Sequence, residues 1–191
     1  MVEKKHISVV IPLYNKAMSI EKTIKAVLSQ TFTDFEIIVV NDGSTDNSLE
    51  VVNSIKDERI RIITKANGGV SSARNKGINE SNAGYIAFLD ADDYWAPDYL
   101  EEMYKLIQDF PEASLYGCAY DLVENGISKS EDFHLPPLYR GIVDNYFLKA
   151  MEHLLYCSSA VIVKKKCIQK IGSFDERINM GEDLDMWFRM N

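Results

Sequence analysis

Cysteine is scarce: Cys118, Cys157 and Cys167 are widely spaced, with no CxxC pair. This excludes a disulfide framework or a zinc knuckle, and makes a reducing, cytoplasmic setting the simpler reading. Long apolar runs are also missing. The N-terminal MVEKKHISVVIP has a basic start but reaches Pro12 before its apolar run is long enough for a signal segment or a membrane span. Positive charge is in deficit, with 21 Lys and Arg against 29 Asp and Glu and a net charge of −8, which argues against a nucleic-acid partner. Two glycine-rich phosphate cradles are absent too. IPLYNKAMS stands where GxGxxG would follow a first strand, and GxxxxGK[ST] does not occur. A diphosphate would therefore have to be held by a metal ion or by side-chain cations.

What is present is a regular alternation. ISVVIP (7 to 12) reads as a buried strand from its continuous β-branched content, and FEIIVV (35 to 40), RIRIIT (59 to 64) and GYIAFL (84 to 89) read as the next three strands. Helical spacing follows each of them. Ile20, Ile24, Val27 and Leu28 mark one face, Leu49, Val52 and Ile55 a second, Val70, Ala73 and Gly77 a third. Pro97 then opens a helix with Leu100, Met103, Tyr104 and Ile107 inward. The pattern predicts an α/β fold, a mostly parallel central sheet with helices on both faces, whose ligands sit beyond the carboxyl ends of the strands. The polar clusters Pro12 to Asn15, Asn41 to Asp46 and Asp90 to Asp93 fall at those ends. The second half is less regular: strands are expected over 113 to 120 and 158 to 165, with a Pro-containing loop near 135 to 139 and a helix over 143 to 155 between them.

YIAFLDADDYW runs an apolar strand into Asp90, Asp92 and Asp93. Two ionised carboxylates about 4 Å apart repel by about 4 kcal/mol at an effective dielectric near 20, so a convergent cluster calls for protonation or a cation. Mg²⁺ or Mn²⁺, which take oxygen ligands and keep positions for phosphate oxygens, would suit it. Spacing alone is equally consistent with a solvated loop in which Asp93 helps start the next helix.

The ordered set VVIPLYN, VVNDGSTD, NGGVSSARNKG, FLDADD and GEDLDMWFRM, running from Ile7 to the end of the chain, resembles the family 2 inverting glycosyltransferases with their GT-A nucleotide-sugar-binding fold. The resemblance implies one domain over 1 to 191, Rossmann-like, with a nucleotide-sugar half at 1 to 98 and an acceptor-side half at 99 to 191. Because the chain stops inside an apparent helix, truncation at the C-terminus is expected.

Residue by residue, the resemblance implies that Pro12 to Tyr14 line the base pocket, with the Tyr14 ring on the nucleobase. Asp42 would accept the base's ring N–H, which favours uracil or thymine, although guanine also carries such a donor. Arg74 would approach the base and ribose or the phosphates, Asp90 the ribose or the metal shell, and Asp92 would be the direct ligand of Mn²⁺ or Mg²⁺. In GEDLDMWFRM, Asp183 would be the general base, its i+4 neighbour Trp187 would shield it or line the acceptor side, and Asp185 would pair with Arg189. Taken singly, Tyr14 reads equally as a half-buried aromatic, Asp42 as a turn former, Arg74 as a surface residue, and Glu182 and Asp183 as acids suited to a helix N-terminus.

The implied reaction moves a sugar from a nucleotide-diphosphate sugar, UDP-sugars favoured, to a hydroxyl of a glycan or lipid-linked glycan in polysaccharide or cell-surface glycan synthesis, with inversion. The family also fits peripheral association with the cytoplasmic face of a membrane. The alternative is a non-catalytic nucleotide-sugar-binding or scaffold protein of the same fold. His6, His134 and His153 are read as ordinary surface, loop or core residues, and the cysteines as small buried hydrophobes.

Overall fold

The computed structural model describes residues 6–124, 126–130, 135–136, 138–152 and 155–190. His134 and His153 lie outside the described residues. In chain order the elements are β1 (Ile7–Leu13), α1 (Ile20–Leu28), β2 (Phe35–Asp42), α2 (Ser48–Ser54), β3 (Ile60–Lys65), α3 (Val70–Glu80), β4 (Tyr85–Phe88), α4 (Tyr99–Asp109) and β5 (Leu115–Gly117). There follow β6 (Asp121–Glu124), β7 (Ile127–Ser130), α5 (Tyr146–Glu152), a 3₁₀ turn (Ser158–Ala160), β8 (Val161–Lys164), α6 (Lys165–Ile171) and α7 (Glu182–Arg189).

Six strands form one sheet in the order β3-β2-β1-β4-β8-β5. β1 pairs in parallel with β2 and β4, β2 in parallel with β3, and β8 runs antiparallel to both β4 and β5. The expected mostly parallel α/β sheet is therefore present. Alternation along each strand divides the core into two layers. Val9, Ile11, Ile37 and Val39 pack with Ile24, Val52, Leu100 and Met103 from α1, α2 and α4 on one face. Val10, Ile86, Phe88, Val161 and Val163 pack on the other face with Ile78, Ile168 and Trp187 from α3, α6 and α7.

The strand order reverses between β1 and β4, because the chain adds β2 and β3 on one side of β1 and then β4 on the other. In an open α/β sheet that switch point is where a ligand crevice opens at the carboxyl ends of the strands. The loops that border it are 14 to 19 after β1 and 89 to 98 after β4.

The structure departs from the sequence expectation in several places: Ser158–Ala160, expected as strand, is a 3₁₀ turn, and the helix α6 was not foreseen. The exposed hairpin β6–β7 was not foreseen. Its strands turn no buried face to the core, so apolar alternation gave no signal, although the Asn-Gly pair at 125 and 126 is a hairpin dipeptide. Asp93 does not start the next helix: α4 begins after Asp98, and the Asp93 carboxylate accepts the Ser159 hydroxyl instead.

Candidate active site

At the end of β1, Asn15 takes a left-handed conformation (φ 52°), which Asn tolerates better than most residues. Its Oδ1 accepts the Thr45 N–H at 2.8 Å, while the N–H groups of Lys16 and Ala17 donate to Ser48 Oγ (2.8 Å) and Asp46 Oδ2 (3.1 Å). The β1–α1 loop is thereby laced to the β2–α2 loop. Pro12 is the last but one residue of β1, opposite Val40, and Tyr14 stands 48% exposed just beyond the strand.

Asp42 closes β2 and is buried. Its carboxylate accepts Lys65 Nζ (2.5 Å), the Gly68 N–H (3.0 and 3.1 Å to the two oxygens) and the Gly69 N–H (2.8 Å). Asn67 Nδ2 donates to the Asp42 carbonyl at 2.9 Å. Asp42 thus shapes the NGG turn that leads into α3, and Lys65 is its counter-ion.

The three aspartates after β4 point to three different partners. Asp90 Oδ1 accepts Arg74 Nη2 at 2.8 Å, Asp92 Oδ2 accepts Lys16 Nζ at 2.5 Å, and Asp93 Oδ2 accepts the Ser159 hydroxyl at 2.6 Å. Ser159 Oγ also accepts the Asp90 N–H, and the Ser159 carbonyl accepts Trp95 Nε1–H. Burial pushes the Asp93 carboxyl above its ordinary value, with Asp90 and Asp92 acting in the same direction and the Ser159 bond and Lys16 opposing. The charge concentration seen in the sequence is dispersed through one buried cation, one exposed cation and one hydroxyl. The Lys16–Asp92 pair crosses the switch point between the β1 and β4 loops, a contact that sequence reading missed because its partners lie 76 residues apart.

A divalent metal was expected here. Among the described residues no three His, Cys, Asp or Glu side chains form a group that could hold a metal ion. Asp90 and Asp92 are nevertheless exposed at the strand end, and neither Asp90 Oδ2 nor Asp92 Oδ1 has a hydrogen-bond partner among the described residues. Mg²⁺ is commonly bound by one or two carboxylates together with substrate phosphates. The Asp90 and Asp92 carboxylates match that donor set in oxygen type, each keeping one oxygen without a hydrogen-bond partner among the described residues.

Arg74 is 2% exposed. Nη1 donates to Glu182 Oε1 and Nη2 to Asp90 Oδ1, each at 2.8 Å, and the guanidinium lies 5.4 Å from the Phe174 ring centroid. Burial alone would lower its pKa, but the two carboxylates hold it above the ordinary arginine value. Arg74 therefore joins the Asp90 loop to the first turn of α7. Asp183 follows in that turn, half-buried, its Oδ1 accepting the Leu184 N–H at 2.8 Å. Desolvation raises its carboxyl above the ordinary value and Glu182 adds to the shift, while the Leu184 N–H and Arg74 oppose it. Asp185 pairs with Arg189 at 2.8 Å, as the i, i+4 spacing predicts.

Trp187 does not cover Asp183 through an exposed indole. It is buried, its ring 6.1 Å from Phe88 and 6.0 Å from Phe174, because it faces the sheet from α7. With Met190 it lines a cavity of roughly 710 Å³ beside β5, walled also by α4, α5 and the 138–143 loop. Tyr146 borders the same cavity, and its hydroxyl is pushed up to about 12 by burial, with Tyr156 and Asp183 contributing.

The family model described as "Glycosyl transferase family 2" matches residues 8–172. Among relatives, the chain is 32% identical over 188 residues to the uncharacterized glycosyltransferase RP339 of Rickettsia prowazekii, covering 96% of this chain and 58% of that protein. It is 40% identical over 121 residues to the chondroitin synthase of Pasteurella multocida, covering 62% of this chain and 12% of that protein. The structure of S. aureus TarS 1-349 in complex with UDP-GlcNAc superposes with a TM-score of 0.76 at 22% identity, covering 97% of this chain and 53% of TarS 1-349. The mannosyltransferase PcManGT from Pyrobaculum calidifontis, in complex with GDP-Man and Mn2+, gives 0.69 at 18% identity, covering 93% of this chain and 49% of that one. The two structural likenesses concern the fold, and the chain spans at most 58% of either of these two relatives.

Proposed function

Since the chain belongs to glycosyltransferase family 2, we propose that it transfers a sugar from a nucleotide-diphosphate sugar, preferably a UDP-sugar, to a hydroxyl of a glycan or lipid-linked glycan, inverting the anomeric carbon. The observation that carries this reading is the Arg74 bridge, which brings the Asp90 loop at the switch point and the helix of Asp183 to one guanidinium. Relatives named chondroitin synthase and hyaluronan synthase, and a fold neighbour in complex with UDP-GlcNAc, support a sugar nucleotide as donor and a glycan as product.

In this reading Pro12 and Tyr14 face the nucleobase, stacking on an aromatic ring being worth about 1–3 kcal/mol per base. Asp42 accepts the ring N–H once one of its present donors, Lys65 being the side chain that bonds its carboxylate, gives way. Asp90 and Asp92 are the residues that would hold Mn²⁺ or Mg²⁺, and such an ion would supply neutralisation of the diphosphate charge. Asp183 accepts the proton of the acceptor hydroxyl as its oxygen bonds to the anomeric carbon from the face opposite the diphosphate. The bond from that carbon to the diphosphate oxygen breaks, and its electron pair leaves with the nucleotide. A carboxyl held above its usual range by burial is a better base for this step than a solvated aspartate. No described helix is long and apolar enough to cross a membrane, and we place the reaction at the cytoplasmic face, where a lipid-linked acceptor would be met.

The test is transfer and donor hydrolysis by wild type and Asp183→Asn with UDP-GlcNAc and GDP-mannose, each with Mn²⁺. Loss of positioned proton transfer should lower turnover by about 10² to 10⁴ while a donor-induced rise in Tm persists. Equal rates in the two proteins, with donor still bound, would favour a non-catalytic nucleotide-sugar-binding protein.

A further inference from the structure

The first turn of α7 carries three acids, Glu182, Asp183 and Asp185, each with a different destination. Asp185 is engaged within the helix by Arg189, and Asp183 Oδ1 by the neighbouring Leu184 N–H. Glu182 reaches out of the helix. Its side chain is 12% exposed and its Oε1 accepts Arg74 Nη1 at 2.8 Å, across 108 residues of sequence. The turn has little else to fix it, since Gly181 before it is left-handed (φ 78°) and provides no side-chain cap.

The other end of the tether is rigid. Arg74 sits on α3, which packs tightly on β1, and its second nitrogen group holds Asp90. Next to it, Asn75 grips the segment before α7: Oδ1 accepts the Phe174 N–H and Nδ2 donates to the Phe174 carbonyl, both at 2.9 Å, and Nδ2 also donates to Glu176 Oε1 at 3.0 Å. The approach to α7 is thereby pinned at Phe174 and Glu176. Among the described residues, the next side chain toward the helix that bonds to another element is Glu182.

We propose that Glu182 is a positioning residue: through Arg74 it fastens the first turn of α7, and so the carboxyl of Asp183, in register with the Asp90 loop. The catalytic consequence rests on Asp183 being the base, whereas the tether itself does not. Charge follows from the same geometry. The groups acting on Asp183 are Glu182 on its own helix, Arg74 from α3 and Tyr146 from α5. Removing the Glu182 charge takes away a neighbour that raises the Asp183 carboxyl and leaves Arg74, which lowers it, less neutralised. Asp183 should then titrate at lower pH.

Three proteins, Glu182→Ala, Glu182→Gln and Asp183→Asn, test this against wild type. Hydrogen exchange of the 184 to 188 amides should speed up by about tenfold or more in Glu182→Ala, with α1 unchanged, as expected for loss of a local tether. In Glu182→Gln, which keeps the shape and an acceptor oxygen, carboxyl ¹³C titration of Asp183 should move to lower pH. With UDP-GlcNAc and Mn²⁺, kcat should fall about tenfold or more with the donor KM within about threefold, because misplacing a reacting group costs rate before affinity. Wild-type exchange at 184 to 188 together with an unmoved Asp183 titration would overturn the proposal whatever the turnover. If both respond but Asp183→Asn turns over like wild type, the tether stands and the assignment of Asp183 as base falls.

Discussion

Replacing Gly77 by alanine tests how α3, and with it Arg74, is set against the sheet. A Cβ at Gly77 would lie 2.3 Å from Val10 Cγ1 and 3.1 Å from Val10 Cγ2. Carbon atoms in contact prefer about 3.5–4.0 Å, so the two must separate by about 1 Å or more. β1 is poorly placed to yield, since Val10 is fully buried and paired with Ile38 of β2 and Phe88 of β4. The helix has to retreat. Overpacking costs about 1–3 kcal/mol, and an overlap this deep belongs at the upper end. The better helix propensity of alanine returns about 1 kcal/mol, leaving about 2 kcal/mol of destabilisation. For a domain of this size that corresponds to a fall in Tm of about 4–8 °C.

The companion variant Val10→Ala removes two methyl groups and leaves a void, which costs about 2 kcal/mol or more by itself. In the double variant the methyl group introduced at position 77 takes up that void. Urea and thermal denaturation of the four proteins should therefore show the double variant less destabilised than the sum of the single ones, by at least about 1 kcal/mol. Strict additivity, or Gly77→Ala melting with wild type, would refute the packing argument. Arg74 lies one turn earlier on the same helix, so the retreat should also loosen its contacts with Asp90 and Glu182 and appear as faster amide exchange in α7.

Two further outcomes follow from the charges at the switch point. Lys16→Met removes an ammonium 2.5 Å from Asp92 Oδ2; at the half-exposed site its repulsion of a cation is worth about 1 kcal/mol, so calorimetric Mn²⁺ affinity without nucleotide should rise about fivefold, and a fall would show that Lys16 helps to build the site. Because burial holds Asp183 above the ordinary aspartate value of 3.8, the base is lost as pH falls through that raised pKa, so the acid limb of kcat should lie above 3.8, and a limb at or below it would contradict the burial seen here.

The first half of the chain was legible because its signals are local. β1, β2 and β4 are apolar-rich runs between turn residues, β3 places isoleucines beside Arg61, and helical spacing at Ile20, Ile24 and Val27 or at Leu100, Met103 and Ile107 marks faces that are indeed buried. The hairpin at 121 to 130 escaped because both strands are exposed, so burial imposes no pattern on them. The same holds at the site. Strand ends and the i, i+4 pair of Asp185 and Arg189 can be read from spacing, whereas Lys16 with Asp92, Lys65 with Asp42, and Arg74 with Glu182 join residues 76, 23 and 108 positions apart.

Those distant partners change what an acidic cluster implies. Three aspartates within four positions look like a seat awaiting a cation, since like charges at close range are costly. In the folded chain the cost is met by divergence: Asp93 turns to a hydroxyl, Asp92 to an exposed lysine and Asp90 to a buried arginine. The two carboxylates paired with Arg74 are unequal in their reach to solvent. Arg74 is held on the inner side by Glu182, which is 12% exposed, and on the outer side by Asp90, which is 38% exposed. A ligand arriving at the strand end meets the outer carboxylate first, so competition for Asp90 leaves the guanidinium still paired with Glu182 and still desolvated. A buried arginine stripped of both partners would be strongly destabilising, by about 3–5 kcal/mol for a broken buried pair. On the proposed reading, in which Asp90 engages the donor or its metal, the second carboxylate, supplied by the helix that carries Asp183, would let Asp90 be exchanged without exposing the fold to that loss.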